Sequence, residues 1–201
     1  MGFRECYYLG MQAAGFVLVG GRSSRMGQDK ARLRIGTRLL VEDIAGKVAN
    51  VTGRVALVGP PERYADLAFE CLRDLRQGFG PLAGIETALA SGYGELNLIT
   101  GCDMPDLPQD WLEKLVSTAR RTRALCVVTR DAAGKVHPLC AVYRTECLPF
   151  ARRALAARRL KLFDFIRELP AVEMHACCII GNLNTPQELA AHAGRPIHPL
   201  H

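Results

Sequence analysis

Between Leu18 and Lys30 the chain reads LVGGRSSRMGQDK, with three glycines, two serines, three cations and one carboxylate. Glycines let backbone N–H groups approach an anion closely. Arg22 and Arg25 offer forks for phosphate oxygens, and Lys30 a point charge. The combination reads as a cradle for phosphates; the competing reading is a solvated basic turn. Two familiar phosphate motifs are absent. No G-x-x-x-x-G-K-S/T run makes a P-loop, and no G-x-G-x-x-G marks a dinucleotide redox site.

A second candidate is Asp103, in LNLITGCDMPDL. A carboxylate just beyond an apolar run can face a ligand while the strand fixes its backbone. Mg²⁺ takes oxygen ligands and commonly uses one or two carboxylates together with substrate phosphates. An aspartate ahead of Pro105 also suits a turn or cap, and the residues alone leave the two readings open. In NLNTPQEL, Thr185, Pro186 and Glu188 make a capping box, which leaves Asn182 and Asn184 unexplained. Asp74, in CLRDLRQGFGPLAG, reads alone as a solvated loop acid, and Asp106 as a turn residue. His137, ahead of Pro138, reads as a partly exposed turn residue. Arg152, Arg153, Arg158, Arg159 and Lys161 read as a solvated helical face, the competing role being attraction of an anionic partner.

The elements that would position these residues follow from apolar patterning. GFVLV (15–19), RVALV (54–58), LNLIT (96–100) and ALCVVTR (124–130) are apolar enough for buried strands. LLVEDIAGKVAN (39–50) carries Leu40, Ile44 and Val48 on one helical face. Further helices are expected over 62–69, through Ile85 and Leu89 as far as Gly92, after Pro108, over 145–157, in LFDFIREL and over 186–193. HPLCAVYR is expected as a strand and VEMHACCII as an edge strand. Such alternation predicts an α/β, Rossmann-like fold with a mainly parallel sheet and helices on both faces. One domain is expected over 15–193, with an extension at 1–14 and a tail at 194–201. In open α/β sheets ligands bind outside the carboxyl ends of the strands. The 18–30 loop and Asp103 both fall there.

The bulk properties are ordinary for a globular chain: 49% hydrophobic, 23% charged and 6% aromatic residues, with a formal charge of +6. The charges are spread along the chain, and no RNA-binding module is recognisable, so nucleic acid is not an expected partner. Eight cysteines occur, at Cys6, Cys71, Cys102, Cys126, Cys140, Cys147, Cys177 and Cys178, with no C-x-x-C pair. They read as buried thiols in a reducing compartment, not as a disulfide set or zinc site. No apolar stretch approaches the roughly 18 residues of a membrane span, and the start lacks a signal-peptide core. No membrane partner is expected, and the cytoplasm is the expected location.

The LVGGRSSRMGQDK stretch resembles the signature of the molybdenum cofactor guanylyltransferases, within the wider nucleotidyltransferase group. GPLAGI at 80–85, CDMP at 102–105, HP at 137–138 and NLNTPQEL at 182–189 are similar to further elements of that family, in the same order. Val19 departs from the pattern, standing where the family usually has alanine. The resemblance implies transfer of GMP from GTP to molybdopterin, with release of pyrophosphate. It implies that Leu18, Val19, Gly20 and Gly21 hold the nucleotide by their backbone, that Lys30 and Arg25 stabilise phosphate charge, and that Asp103 binds Mg²⁺. It further implies that Asp74 and Gly80 lie beside the guanine nucleotide, that Asn182 or Asn184 completes the site, and that His137 is a candidate pterin contact. Proteins that deliver molybdopterin or mature molybdoenzymes are compatible partners. The alternatives are a cytidylyltransferase acting on the same pterin, another nucleotidyltransferase, and a catalytically silent nucleotide-binding module.

Overall fold

Residues 11–19, 29–35 and 37–183 are described by the structure, a computed structural model. Strand β1 (Ala13–Leu18) is an interior strand of a seven-stranded sheet ordered β5-β4-β1-β6-β8-β7-β9. A short hairpin, β2 (Arg34–Ile35) and β3 (Arg38–Leu39), leads into helix α1 (Leu40–Thr52). The chain then crosses to β4 (Val55–Val58) and β5 (Glu70–Leu72) on one side of β1. Helix α2 (Pro81–Ala90) carries it back to β6 (Leu96–Gly101) on the other side. The strand order therefore reverses at β1, which opens a crevice at its carboxyl end.

Side-chain alternation along β1 explains the layers. Ala13 and Val17 join a core packed under α1 and α3 (Gln109–Arg121). Ala14 and Phe16 face the other side, under α2, α4 (Leu148–Ala156) and α5 (Leu162–Arg167). Period-two strands with both faces apolar require helices on both faces. Gly15 faces α1, and a Cβ there would lie 2.1 Å from Val48 Cγ1. The missing side chain lets α1 sit directly on the strand.

The expected strands at 54–58, 96–100 and 124–130 are present, the last as β7 (Cys126–Arg130). The sheet is mostly parallel, with one reversal. Strand β8 (Val136–Arg144) runs antiparallel to both β6 and β7, and β9 (Ala171–His175) pairs parallel to β7 at the edge. The reason is the link between β7 and β8. Residues 131–135 form a tight turn with Gly134 at φ 81°, too short for a parallel crossover. The segment 62–69 is not the expected helix. It holds one 3₁₀ turn, Pro61–Arg63, then turns and bends before β5. Tyr64 is drawn wholly into the core, and β5 must lie alongside β4, which leaves no room for a regular helix. The 186–193 helix and the Thr185 cap lie outside the described residues.

Cys126, Cys140 and Cys147 are buried, but Cys177 is exposed and Cys71, Cys102 and Cys178 are half-buried, so burial of the whole cysteine set does not hold. All seven described cysteines are free thiols. The Arg152–Lys161 run is exposed and held in pairs: Arg159 with Glu168, Arg152 with Glu86, and Arg158 over the Phe79 ring. Among the described residues, no helix is long and apolar enough to cross a membrane.

His137 is not an exposed turn residue. It lies inside β8, only 4% exposed, with Nε2 2.9 Å from Asp131 Oδ2. Burial opposes the charge on Asp131, but hydrogen bonds from His137 and from the Lys135 and Ile180 N–H groups outweigh it and hold the carboxyl at about 2. The ordinary value is about 3.9. A depressed carboxyl contributes stability in full above its ordinary value and loses it as pH falls toward the folded value. Asp131→Ala strands these donors, so it is expected to cost about 3 kcal/mol at pH 7. Thermal melts should show a Tm lower by roughly 6–12 °C. The gap between the two proteins should close as pH falls from about 4 toward about 2; a gap constant across that range would show that the Asp131 charge contributes nothing.

Candidate functional site

The carboxyl ends of β1, β4 and β6 floor a cleft of ≈ 1560 Å³. Leu18 ends β1 and Val58 ends β4, with Val19 and Gly59 just beyond them. Pairing continues past the strands: Val19 N–H donates to Val58 O at 2.9 Å, and Gly59 N–H to Leu72 O at 2.9 Å. Gly59 is glycine for a steric reason. A Cβ there would meet Val19 O at 2.6 Å and Val19 Cγ2 at 2.9 Å. Val19 itself is 7% exposed, so the bulk added by valine in place of alanine goes into this contact with β4.

One wall is the stretch from Asp74 to Gly84. Gly80 adopts φ 68°, and Pro81 starts α2 immediately after it. Pro at the first helical position costs no hydrogen bond, so the turn directs the amino end of α2 at the cleft. Gly84 then faces β1: a Cβ there would lie 2.8 Å from Leu18 Cδ2. Asp74 is not a solvated acid. It is half-buried in the cleft wall, and burial pushes its carboxyl up. Its loop is fastened to α2 by two bonds. Leu75 N–H donates to Thr87 Oγ1 at 3.0 Å, and Arg76 Nε donates to the buried Glu86 Oε2 at 2.8 Å.

The opposite wall carries Asp29, Lys30 and Arg32. These lie in and just before a 3₁₀ turn, Lys30–Arg32, capped by Asp29. Asp103 lies past the end of β6, in the same cleft. Gly101 makes room for it, because a Cβ there would lie 2.8 Å from Asp103 Oδ1. The chain returns to Asp103 after β9: Leu183 N–H donates to Asp103 O at 2.8 Å, and Asn182 Nδ2 donates to Asp103 Oδ2 at 3.3 Å. Asn182 is therefore the asparagine beside Asp103 among the described residues. Gly20, Gly21, Arg25 and Asn184 lie outside them. His137, paired to Asp131 in the interior, is not among the residues lining the cleft.

Cys102 also lines the cleft. Burial, with the Asp103 and Asp29 carboxylates adding to it, pushes its thiol up to about 12. The sulfur therefore stays protonated and is no nucleophile at neutral pH. The sequence pattern assigned no place in the site to Gly59, Cys102 or Tyr64. Gly59 had a signal, a glycine at the end of an apolar run before two prolines; Tyr64 had none, because only the tertiary structure brings it to Asp29.

Residues 15–172 match the family model described as "MobA-like NTP transferase domain". The chain belongs to that family. A relative from Carboxydothermus hydrogenoformans, described as "Probable molybdenum cofactor guanylyltransferase", is 38% identical over 149 residues, 74% of each chain. A "Molybdenum cofactor guanylyltransferase" of Mesorhizobium japonicum is 33% identical over 196 residues, covering 90% of this chain and 94% of its own. The crystal structure of molybdopterin-guanine dinucleotide biosynthesis protein A from Archaeoglobus fulgidus superimposes with a TM-score of 0.77 at 23% identity, over 90% of this chain and 96% of that one. At that identity the likeness is one of fold. The β1 and β4 ends meet here with no room for a side chain. Gly59→Ala drives a methyl into backbone, which cannot yield as a flexible side chain would. It is expected to cost about 1–3 kcal/mol and to weaken nucleoside triphosphate binding roughly tenfold as the floor shifts. Calorimetric titration together with a thermal melt checks both; an unchanged affinity would mean the floor does not touch the nucleotide.

Proposed function

We propose that this protein transfers GMP from GTP to molybdopterin, giving the guanine dinucleotide form of the cofactor and pyrophosphate. The observation that carries the proposal is that Lys30, Asp74 and Asp103, distant in sequence, line one cleft at the reversal of strand order. Members of the same family more than 30% identical bear the guanylyltransferase name. GTP enters with its triphosphate between the Lys30 turn and Asp103 and its base toward Asp74. The backbone from Leu18 to Gly21 holds the nucleotide, and Arg25 joins Lys30 in stabilising phosphate charge.

The donor set suits Mg²⁺. One carboxylate, Asp103, stands beside the Asn182 amide, and no cluster of three or more His, Cys, Asp or Glu exists among the described residues. Mg²⁺ is commonly held by few protein oxygens and completed by substrate phosphates and water. Asp103 would hold the ion, with Asn182 beside it; when bound, the ion neutralises phosphate charge. Lys30 stabilises the negative charge that grows on the departing pyrophosphate. An oxygen of the molybdopterin phosphate forms a new bond to the α-phosphorus. The bond from the α-phosphorus to the bridging oxygen breaks, and pyrophosphate leaves with the electron pair. No residue need act as base, since the attacking phosphate is already ionised. Catalysis is positioning plus charge.

Asp74 favours guanine over cytosine. A carboxylate accepts two hydrogen bonds side by side, and guanine offers N1–H and N2–H together. Cytosine has one amino group on its pairing edge, next to an acceptor nitrogen that faces the carboxylate unfavourably. A site that pairs a base edge rejects the wrong base strongly, because it leaves buried polar groups unpaired. Titration calorimetry with GTP, CTP and ATP in Mg²⁺ should show GTP bound most tightly, and Asp74→Ala should reduce that preference roughly tenfold or more. Equal or tighter CTP binding by the parent protein would exclude guanylyl transfer.

Asp103→Asn keeps size and one carbonyl oxygen but removes the charge that Mg²⁺ prefers. Turnover, followed by pyrophosphate release, is expected to fall roughly a hundredfold or more, and nucleotide affinity by less. The melting curve should hardly move, because asparagine serves a turn about as well as aspartate. Normal turnover at ordinary Mg²⁺ would remove Asp103 from the reaction.

A further inference from the structure

Tyr64 lies outside the cleft, yet its hydroxyl ends on the residue that precedes Lys30. The side chain is wholly buried, packed in the core under α1. Its Oη–H donates to Asp29 Oδ2 at 2.7 Å. The other oxygen of the same carboxylate, Oδ1, accepts from Ala31 N–H at 3.1 Å and caps the Lys30–Arg32 turn. One carboxylate thus joins the interior to the turn, with Lys30 lying between Asp29 and Ala31, the residue it caps. Burial, and then the Asp29 carboxylate, pushes the phenol up. The phenol therefore stays protonated and can serve Asp29 as a donor.

The turn has other anchors, and they hold other things. Ala31 is fully buried and fixes the depth of the turn. Arg32 reaches Asp66 and the Arg63 carbonyl, and its guanidinium lies 5.7 Å from the Tyr64 ring centre. That ion pair has both partners more than a third exposed, so water and salt screen it. The Tyr64–Asp29 bond is the shielded one, and it fixes the Asp29 rotamer. The cap in turn sets the direction in which the backbone leaves toward Lys30. A lysine has a flexible stem, so the direction in which its backbone leaves decides the region its charge can reach.

We infer that Tyr64 is a positioning residue for Lys30, acting through the hydrogen bond from its hydroxyl to the capping carboxylate of Asp29. It touches no substrate. The inference rests on the assignment of Lys30 to phosphate charge in the proposed function. It makes the catalytic cation depend on the β4–β5 connection, which Arg32 also reaches through Asp66 and the Arg63 carbonyl.

Tyr64→Phe removes the hydroxyl and keeps the ring in its packing. Two measurements decide the inference. The first is amide hydrogen exchange of the protein without nucleotide. The Ala31, Arg32 and Leu33 amides are expected to exchange at least roughly tenfold faster in the variant, with β6 and β7 unchanged. The second is pyrophosphate release from GTP, Mg²⁺ and molybdopterin in four proteins: parent, Tyr64→Phe, Lys30→Ala and the double variant. The kcat of Tyr64→Phe should drop roughly tenfold or more in the parent background, with the KM for GTP changed less. In the Lys30→Ala background the same change should leave kcat where it was. A merely structural tyrosine would lower kcat by the same factor in both backgrounds, and that result overturns the inference. So does unchanged exchange in residues 31–33. A parent protein that releases no pyrophosphate would instead count against the proposed function, and the exchange result would still decide whether Tyr64 orders the turn.

Discussion

Three strands have to end close enough together for a single small ligand to touch all of them, and side chains are what would prevent it. At Gly59 a Cβ would strike the Val19 carbonyl at 2.6 Å; at Gly84 it would strike Leu18 at 2.8 Å; at Gly101 it would strike the Asp103 carboxylate at 2.8 Å. Gly59 lies just past β4, Gly84 on α2 and Gly101 at the end of β6. Gly59 and Gly84 let β4 and α2 close on the end of β1, and Gly101 leaves room for the Asp103 side chain. At Gly59 the atom in the way is backbone, whose rearrangement is the costly kind; at the other two it belongs to a side chain. The cleft is wide because its floor is narrow.

Charge in the cleft is arranged by pairing, not by accumulation. Arg73 is held by Glu62, Arg32 by Asp66, and Arg76 by Glu86. The first two pairs are exposed and contribute little to stability. Their effect is to keep cationic side chains extended along the lip. The Glu86 pair differs, since its carboxylate is only 3% exposed, and Arg152 approaches the same group at 3.5 Å. A buried carboxylate left without cations would be expensive. Arg76 is therefore tied to α2, and the loop bearing Asp74 is tied with it.

Much of this was legible in the residues. Four apolar runs became four strands because a strand buried on both faces has to be apolar throughout. The place of Asp103 past the end of a strand was legible too, though the residues alone left its metal and turn readings open. What escaped was set by contacts across the fold. Asp74 reads as a solvated acid in isolation, and only the packing of its loop on α2 makes it half-buried. The 62–69 segment has helical composition, but Tyr64 has a core to enter and β5 has a partner. His137 looked exposed because it precedes a proline; in fact Pro138 follows it into a strand, and Asp131 meets it across the turn. The reversal of β8 was within reach of the sequence, since DAAGK is too short to cross the sheet.

That reversed hairpin lies on the far side of β6 from the proposed nucleotide floor, yet its buried pair is linked to the cleft through the backbone. After β9 the chain runs back past the β7–β8 turn. Cys178 O accepts from Ala132 N–H at 3.1 Å, and Ile180 N–H donates to Asp131 Oδ2 at 3.4 Å. Leu183 N–H then reaches Asp103 O at 2.8 Å. Asp131 thus holds one end of the 180–183 segment and Asp103 the other. Asn182 stands between the two attachments and turns its amide to Asp103. A side chain whose backbone is attached on both sides has fewer conformations open to it. The buried Asp131–His137 pair is thus joined, through Ile180, to the segment that carries Asn182.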